Sequence, residues 1–208
     1  METAVTTLLD GLVFSSYLFL VSVGLTIIFG VMKILNVAHG SLYAWGAYTA
    51  AYLIGVWSDA GLDDSGTFLM IAAAALLVGC VLGFVLERGL IQFMYARDEV
   101  IVVLATFATF LILEDVILLV FGVDPYFAYQ PMAYLGSVEL GGILRDVYSL
   151  TLIGLAAVVG LVLWIGLTWT RWGKLLTAVI HDRELAVAMG INVTRVYVLT
   201  FMLGAVLG

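Results

Sequence analysis

The stretch LVFSSYLFLVSVGLTIIFGVMKILNVAHGSLYAWGAY, residues 12–48, decides the fold. From Leu12 to Met32 it contains no Asp, Glu, Lys, Arg or His. About 20 mostly apolar residues, rising ~1.5 Å each in a helix, cross a hydrocarbon core of ~30 Å. Lys33 interrupts the run, and a second run from Ile34 to Ser58 follows in which His39 is the one residue among Asp, Glu, Lys, Arg and His. Neither run alternates apolar and polar residues as a barrel strand would. The stretch therefore reads as two membrane-spanning helices joined by a tight turn at the membrane edge.

The pattern continues outward. Gly66 to Leu86 is uncharged, Val100 to Val123 carries Glu114 and Asp115, and Val147 to Thr170 is clean. A sixth apolar run starts near Val196 and reaches Gly208, too short to cross a bilayer. The fold class is all-α: a polytopic transmembrane helical bundle with five full spans and a truncated sixth. Residues 1–208 form a single transmembrane domain, expected to be incomplete at the C-terminus. The first run is longer than the apolar region of a cleaved leader and is expected to be retained as a span.

Composition agrees. The chain has 208 residues, 64% hydrophobic and 11% charged, with a mean hydropathy of +1.18. Soluble domains run at roughly half apolar and a quarter charged. A net charge of −7 argues against a nucleic-acid partner. The single cysteine, Cys80, excludes a disulfide framework.

Lysine and arginine mark the inner side. Lys33, Arg88 and Arg97 in 87–99, and Arg171, Lys174, Arg183 and Arg195 in 171–195 should face the cytoplasm. The segments 59–65 and 124–146, rich in Asp and Glu, should face outside, with the N-terminus outside as well. Small residues recur at four-residue spacing in Ala75, Gly79 and Gly83, in Ala156 and Gly160, and in Gly46 and Ala50. Such stripes let helix backbones approach closely.

Three groups of polar residues stand out. Asn36 and His39 share a helical face at the start of the second run, flanked by Gly30 and Gly40. Asn36 is expected to cap the second helix, with His39 in its first turn and the glycines easing the bend. The pair either pins the first two helices or lines the translocation route; polar groups at membrane depth keep the second reading open. The segment TRWGKLLTAVIHDRELAVAMGINVTRV, residues 170–196, puts Lys174, Thr177, His181 and Glu184 on one stripe, with Asp182 and Arg183 off it. A break near 181–182 follows, with Asp182 capping a second short helix, Glu184 complementing its dipole and Gly190 ending it. Two short surface helices result, either a solvated connector or a docking element for a partner. Glu114 and Asp115 in the fourth span point about 100° apart and read either as ion-coupling groups or as carboxyls packed in the bundle.

No catalytic set, metal cluster or cofactor motif is expected: His39 and His181 lie in distant segments. Gly173-Lys174 lacks the Gly-rich phosphate cradle of an ATP-binding loop.

The run GLTIIFGVMKILNVAHGSLYAWGAY at 24–48 resembles the signature of the branched-chain amino-acid (leucine/isoleucine/valine) ABC transporter permease family, H-type. Gly24, Leu25, Ile28, Phe29, Gly30, Asn36, His39, Gly40, Gly46, Ala47 and Tyr48 carry the likeness. The inner segment is similar to the same family in Thr170, Arg171, Gly173, Ala178, Ala186 and Met189 to Val193. Glu184, Ala186 and Gly190 resemble the loop by which such permeases dock an ATPase; Thr177 stands where the family usually has a base, and Leu185 where it has Ala.

The resemblance implies a permease subunit of an importer for branched-chain amino acids, or for related amino acids or amides such as urea. It would work without cofactors in a prokaryotic cell membrane. It would pair with a second permease and two ATP-binding subunits, and receive substrate from an outer binding protein. Asn36, His39, Gly30 and Gly40 would be signature residues, and Arg171, Gly173, Lys174, Arg183, Glu184 and Gly190 would couple to the ATPase. The alternative is an ATP-independent secondary transporter or channel using Glu114 and Asp115 for ion coupling.

Overall fold

The structure, a computed structural model, describes residues 2–95, 97–140 and 143–208. Its long helices are α1 (Glu2–Met32), α2 (His39–Asp59), α3 (Thr67–Gly89), α4 (Glu99–Phe121) and, after the short α5 (Gln130–Leu135), α6 (Val147–Trp169). Two short helices, α7 (Arg171–His181) and α8 (Arg183–Ala188), precede α9 (Val193–Leu207). Between α5 and α6 lies an antiparallel hairpin, β1 (Ser137–Leu140) and β2 (Ile143–Asp146), with Ser137 opposite Asp146 and Val138 opposite Arg145.

Among the described residues, four helices, α1, α3, α4 and α6, are long and apolar enough to cross a membrane. The segment expected as the second span forms the helix α2, 21 residues long, which is not among these four. Its tyrosines, tryptophans and glycines make it less apolar than the other four. The sixth run begins three residues earlier than the sequence suggested, at Val193, and forms a 15-residue apolar helix. Large apolar side chains such as Leu69, Leu119, Val162 and Trp169 are exposed around the outside. In a spanning bundle these face lipid tails, and the helices satisfy their own backbone polar groups.

The core forms where α9 wedges between α1 and α3; α2 packs along α3, and α6 along α1. Glycines set the closest approaches. A Cβ on Gly79 would lie 2.5 Å from Val206 Cγ2, and one on Gly83 2.9 Å from Ala205 Cβ. The stripe on α3 is therefore the seat of α9, as small-residue packing requires. On α6, Ala156 is buried and Gly160 faces the Phe19 ring of α1. The stripe on α2 differs: a Cβ on Gly46 would meet nothing, and Gly46 and Ala50 line a cavity instead.

Helix α4 is pinned to α2. Val37 N donates to Thr106 Oγ1 at 3.2 Å, and Trp45 Nε1 donates to the Leu113 carbonyl at 3.3 Å. The rings of Trp45, Tyr48 and Tyr52 gather around Phe121 at the other end of the same contact.

Seven of the eight Lys and Arg residues lie at one end of the bundle, in the Lys33 turn, around 88–97 and in 171–195. The eighth, Arg145, is at the opposite end, on β2, paired with Asp10 of α1. The two ends thus carry the charge asymmetry read from the sequence.

Candidate functional site

The turn between α1 and α2 departs from its expected form. Helix α1 ends at Met32, and the left-handed residue is Lys33 (φ 56°), not either flanking glycine. Gly30 and Gly40 both lie within helices, where an added Cβ would meet nothing. The N-cap of α2 is Ala38, and no side chain caps it. Asn36 contributes its backbone carbonyl, which accepts from His39 N at 3.2 Å. Its side chain is instead buried, as is the His39 ring. Among the described residues, neither side chain finds a hydrogen-bond partner. Buried amides and imidazoles are normally paired. The capping role expected of Asn36 is corrected accordingly: the backbone makes the turn, and the side chain points into the bundle. His39 opens the first turn of α2 as expected.

A cavity of about 420 Å³ lies above this turn, walled by α2, α3, α5, α6 and the end of α9. Leu42, Gly46, Ala50 and Ile54 form its α2 wall, Ile71, Ala75 and Val78 its α3 wall, with Tyr43 and Tyr148 among the polar groups. The Tyr43 hydroxyl is 2.9 Å from the Tyr17 hydroxyl of α1. The volume suits a small ligand, and the lining is apolar with few polar groups, as such sites are. Sequence reading missed this wall, because its Gly, Ala and Leu residues look like packing residues.

The inner segment folds as two short helices broken at Asp182. Thr170 Oγ1 caps α7 by accepting from Gly173 N at 3.1 Å, and Asp182 Oδ1 caps α8 by accepting from Leu185 N at 2.9 Å. Gly190, at φ 81°, ends the second helix, with its N–H donating to the Val187 carbonyl. Gly173 has no room for a side chain: a Cβ would fall 2.1 Å from the Leu167 carbonyl oxygen, which seats α7 on the end of α6. Lys174, Thr177, His181 and Glu184 are exposed, as are Arg171 and Arg183. Gly173, Val179 and Ala186 are buried. Val179 of α7 and Ala186 of α8 join one apolar cluster with Ile28, Met32, Leu86, Ile91, Val102 and Phe201.

That cluster also surrounds a group sequence reading passed over. Helix α3 runs to Gly89, so Glu87, assigned to a loop, lies in its last turn and is fully buried. The Tyr95 hydroxyl donates to its carboxylate. Burial first, and this hydrogen bond second, raise the Tyr95 phenol above its ordinary pKa. A lone Glu beside Arg88 gives no sequence signal of burial. Glu114 and Asp115 are both exposed on the outside of α4, and neither lines the cavity.

The high-affinity branched-chain amino acid transport system permease protein LivH of Salmonella typhimurium is 25% identical over 206 residues, covering 94% of this chain and 65% of the relative. LivH of Escherichia coli K12 is 25% identical with the same coverage. BraD of Pseudomonas aeruginosa, a permease protein named for the same transport system, is 24% identical over 206 residues, 96% of this chain and 66% of the relative. The chain thus spans about two thirds of the length of the curated relatives it matches. No solved structure matches it. Residues 7–208 match the family described as branched-chain amino acid transport system / permease component, and this multi-pass membrane chain belongs to that family.

Proposed function

We propose that the chain is the membrane-spanning permease subunit of an ABC importer for branched-chain amino acids, or for related amino acids or amides such as urea. The carrying observation is the way α7 and α8 are seated: Val179 and Ala186 reach into the bundle core, and the polar stripe is open. A solvated connector would need no such seat. A docking element does, because a partner's push must reach the spans without being lost in a loose loop. Two ATPase subunits would grip Lys174, Arg171, Glu184 and the surface around Gly190, a second permease would complete the membrane unit, and an outer binding protein would deliver substrate. The excess of Lys and Arg at this end supports a cytoplasmic position in a prokaryotic cell membrane.

The cavity supports the substrate class. Its apolar α2 and α3 walls suit an aliphatic side chain, and Tyr43 and Tyr148 supply hydroxyls for a polar head group. Asn36 and His39 lie at the inner end of α2, below that cavity, as polar groups on the route. The outward position of Glu114 and Asp115 favours ATP-driven rather than ion-coupled transport. Uptake of radiolabelled leucine by vesicles holding the assembled complex tests the reading: it should require ATP and the binding protein, and uptake on a proton gradient alone would overturn it.

A further inference from the structure

Four side chains from four consecutive or neighbouring segments touch in series at the inner end. Glu87, in the last turn of α3, accepts a hydrogen bond from the Tyr95 hydroxyl, beyond the turn at Ile91–Met94. Arg88 Nε lies 3.5 Å from the other Glu87 oxygen. The Tyr95 ring meets the buried Tyr197 ring of α9 edge to face, centroids 4.9 Å apart at 72°. The Arg183 guanidinium carbon lies 5.7 Å from the centroid of that same Tyr197 ring. Arg183 is the first residue of α8.

These contacts differ from the aliphatic packing around them. Aliphatic contacts between Leu and Val are non-directional. An edge-to-face pair, a cation over a ring face and a hydrogen bond to a buried carboxylate each prefer one geometry. A buried carboxylate also needs its partners in place. The series therefore holds α8, α9 and α3 in one fixed relation. Its far end matters, because Gly79 and Gly83 lock α3 onto α9, and Ala75, Val78 and Ala205 of those two helices wall the cavity.

We propose that Arg183, Tyr197, Tyr95 and Glu87 form a strut that carries displacement of α8 to the inner ends of α3 and α9, and through them to the cavity wall. Tyr197, Tyr95 and Glu87 are positioning residues. The inference rests on the reading of α7 and α8 as the docking element.

Two measurements test it. In the assembled complex, Tyr197→Leu should leave ATPase binding and ATP hydrolysis near wild type but lower leucine moved per ATP by about fivefold or more. Tyr197→Phe, which keeps both ring contacts, should behave as wild type, and Tyr95→Phe, which loses only the bond to Glu87, should fall between them. Parallel loss of assembly, hydrolysis and uptake, or unchanged leucine per ATP in Tyr197→Leu, would overturn the strut. The second measurement needs no ATPase. In the purified full chain, hydrogen exchange at α8 and at the inner end of α3 should rise together in Tyr197→Leu and stay unchanged in Tyr197→Phe; exchange rising at one segment alone would overturn the strut. Because it is independent of transport, it judges the strut even where wild-type chain shows no ATP-driven uptake, a result that would count against the importer reading instead.

Discussion

Gly24 of α1 and Gly204 of α9 meet backbone to backbone: a Cβ on Gly24 would fall 2.2 Å from the Gly204 carbonyl oxygen. From the other side, a Cβ on Gly204 would lie 2.6 Å from Ile28 Cγ1. This crossing holds α9 in the middle of the bundle. A backbone oxygen cannot move aside as a flexible side chain does. Gly24→Ala should therefore lower stability by about 1–3 kcal/mol, the usual range for overpacking, read as a lower unfolding midpoint in detergent. Gly30→Ala, where a Cβ meets nothing, should leave the midpoint unchanged or slightly raised.

The cap on α8 sets how firmly the docking element is folded. Asp182→Ala removes the oxygen that accepts from Leu185 N. A lost cap of this kind is worth about 1 kcal/mol. Hydrogen exchange in 183–188 should speed by roughly fivefold, the equivalent of that energy, while exchange in α6 stays unchanged. Asp182→Asn, which can still accept, should restore slow exchange.

Asn36 separates stability from function. Its side-chain polar atoms are buried without partners among the described residues, so replacing them by an apolar group of similar shape removes an uncompensated burial. Such replacements are close to neutral or stabilising. Asn36→Leu should keep or raise the unfolding midpoint, yet lower leucine uptake by about tenfold if the amide lies on the route. A large loss of stability would show instead that the amide holds the turn.

The cavity can be filled without disturbing its walls. Gly46→Leu projects into space where a Cβ meets nothing. It should fold normally and reduce leucine uptake, measured against the same complex with wild-type permease. Glu114→Gln with Asp115→Asn should leave ATP-driven uptake unchanged, since both face away from that cavity.

Much of this was legible in the sequence, for identifiable reasons. Long apolar runs announce spans because a bilayer demands them, and the Asp182 break was readable because capping is a local event. The α3 stripe was readable as well, although its partner α9 was not. Long-range consequences were hidden. Nothing local distinguishes Gly46, which lines a cavity, from Gly79, which seats a helix. Asn36 has the chemistry of a cap, and only the packing of α2 on α4 shows that its side chain turns inward. The strand pair β1 and β2 was hidden in a segment read for its charge, and Glu87 was assigned to a loop because a carboxylate seldom ends a span buried.

The central claim is that a separate ATPase grips the exposed stripe of α7 and α8. Its most direct test is cross-linking in the assembled complex from single cysteines, in a Cys80→Ser background, at Lys174, His181 and, on the opposite end, Leu62. Cross-links to the ATPase subunit from the first two positions and none from Leu62 are expected. Cross-links from Leu62 with none from Lys174 or His181, or labelling of these two by a membrane-impermeant reagent from outside intact cells, would contradict it.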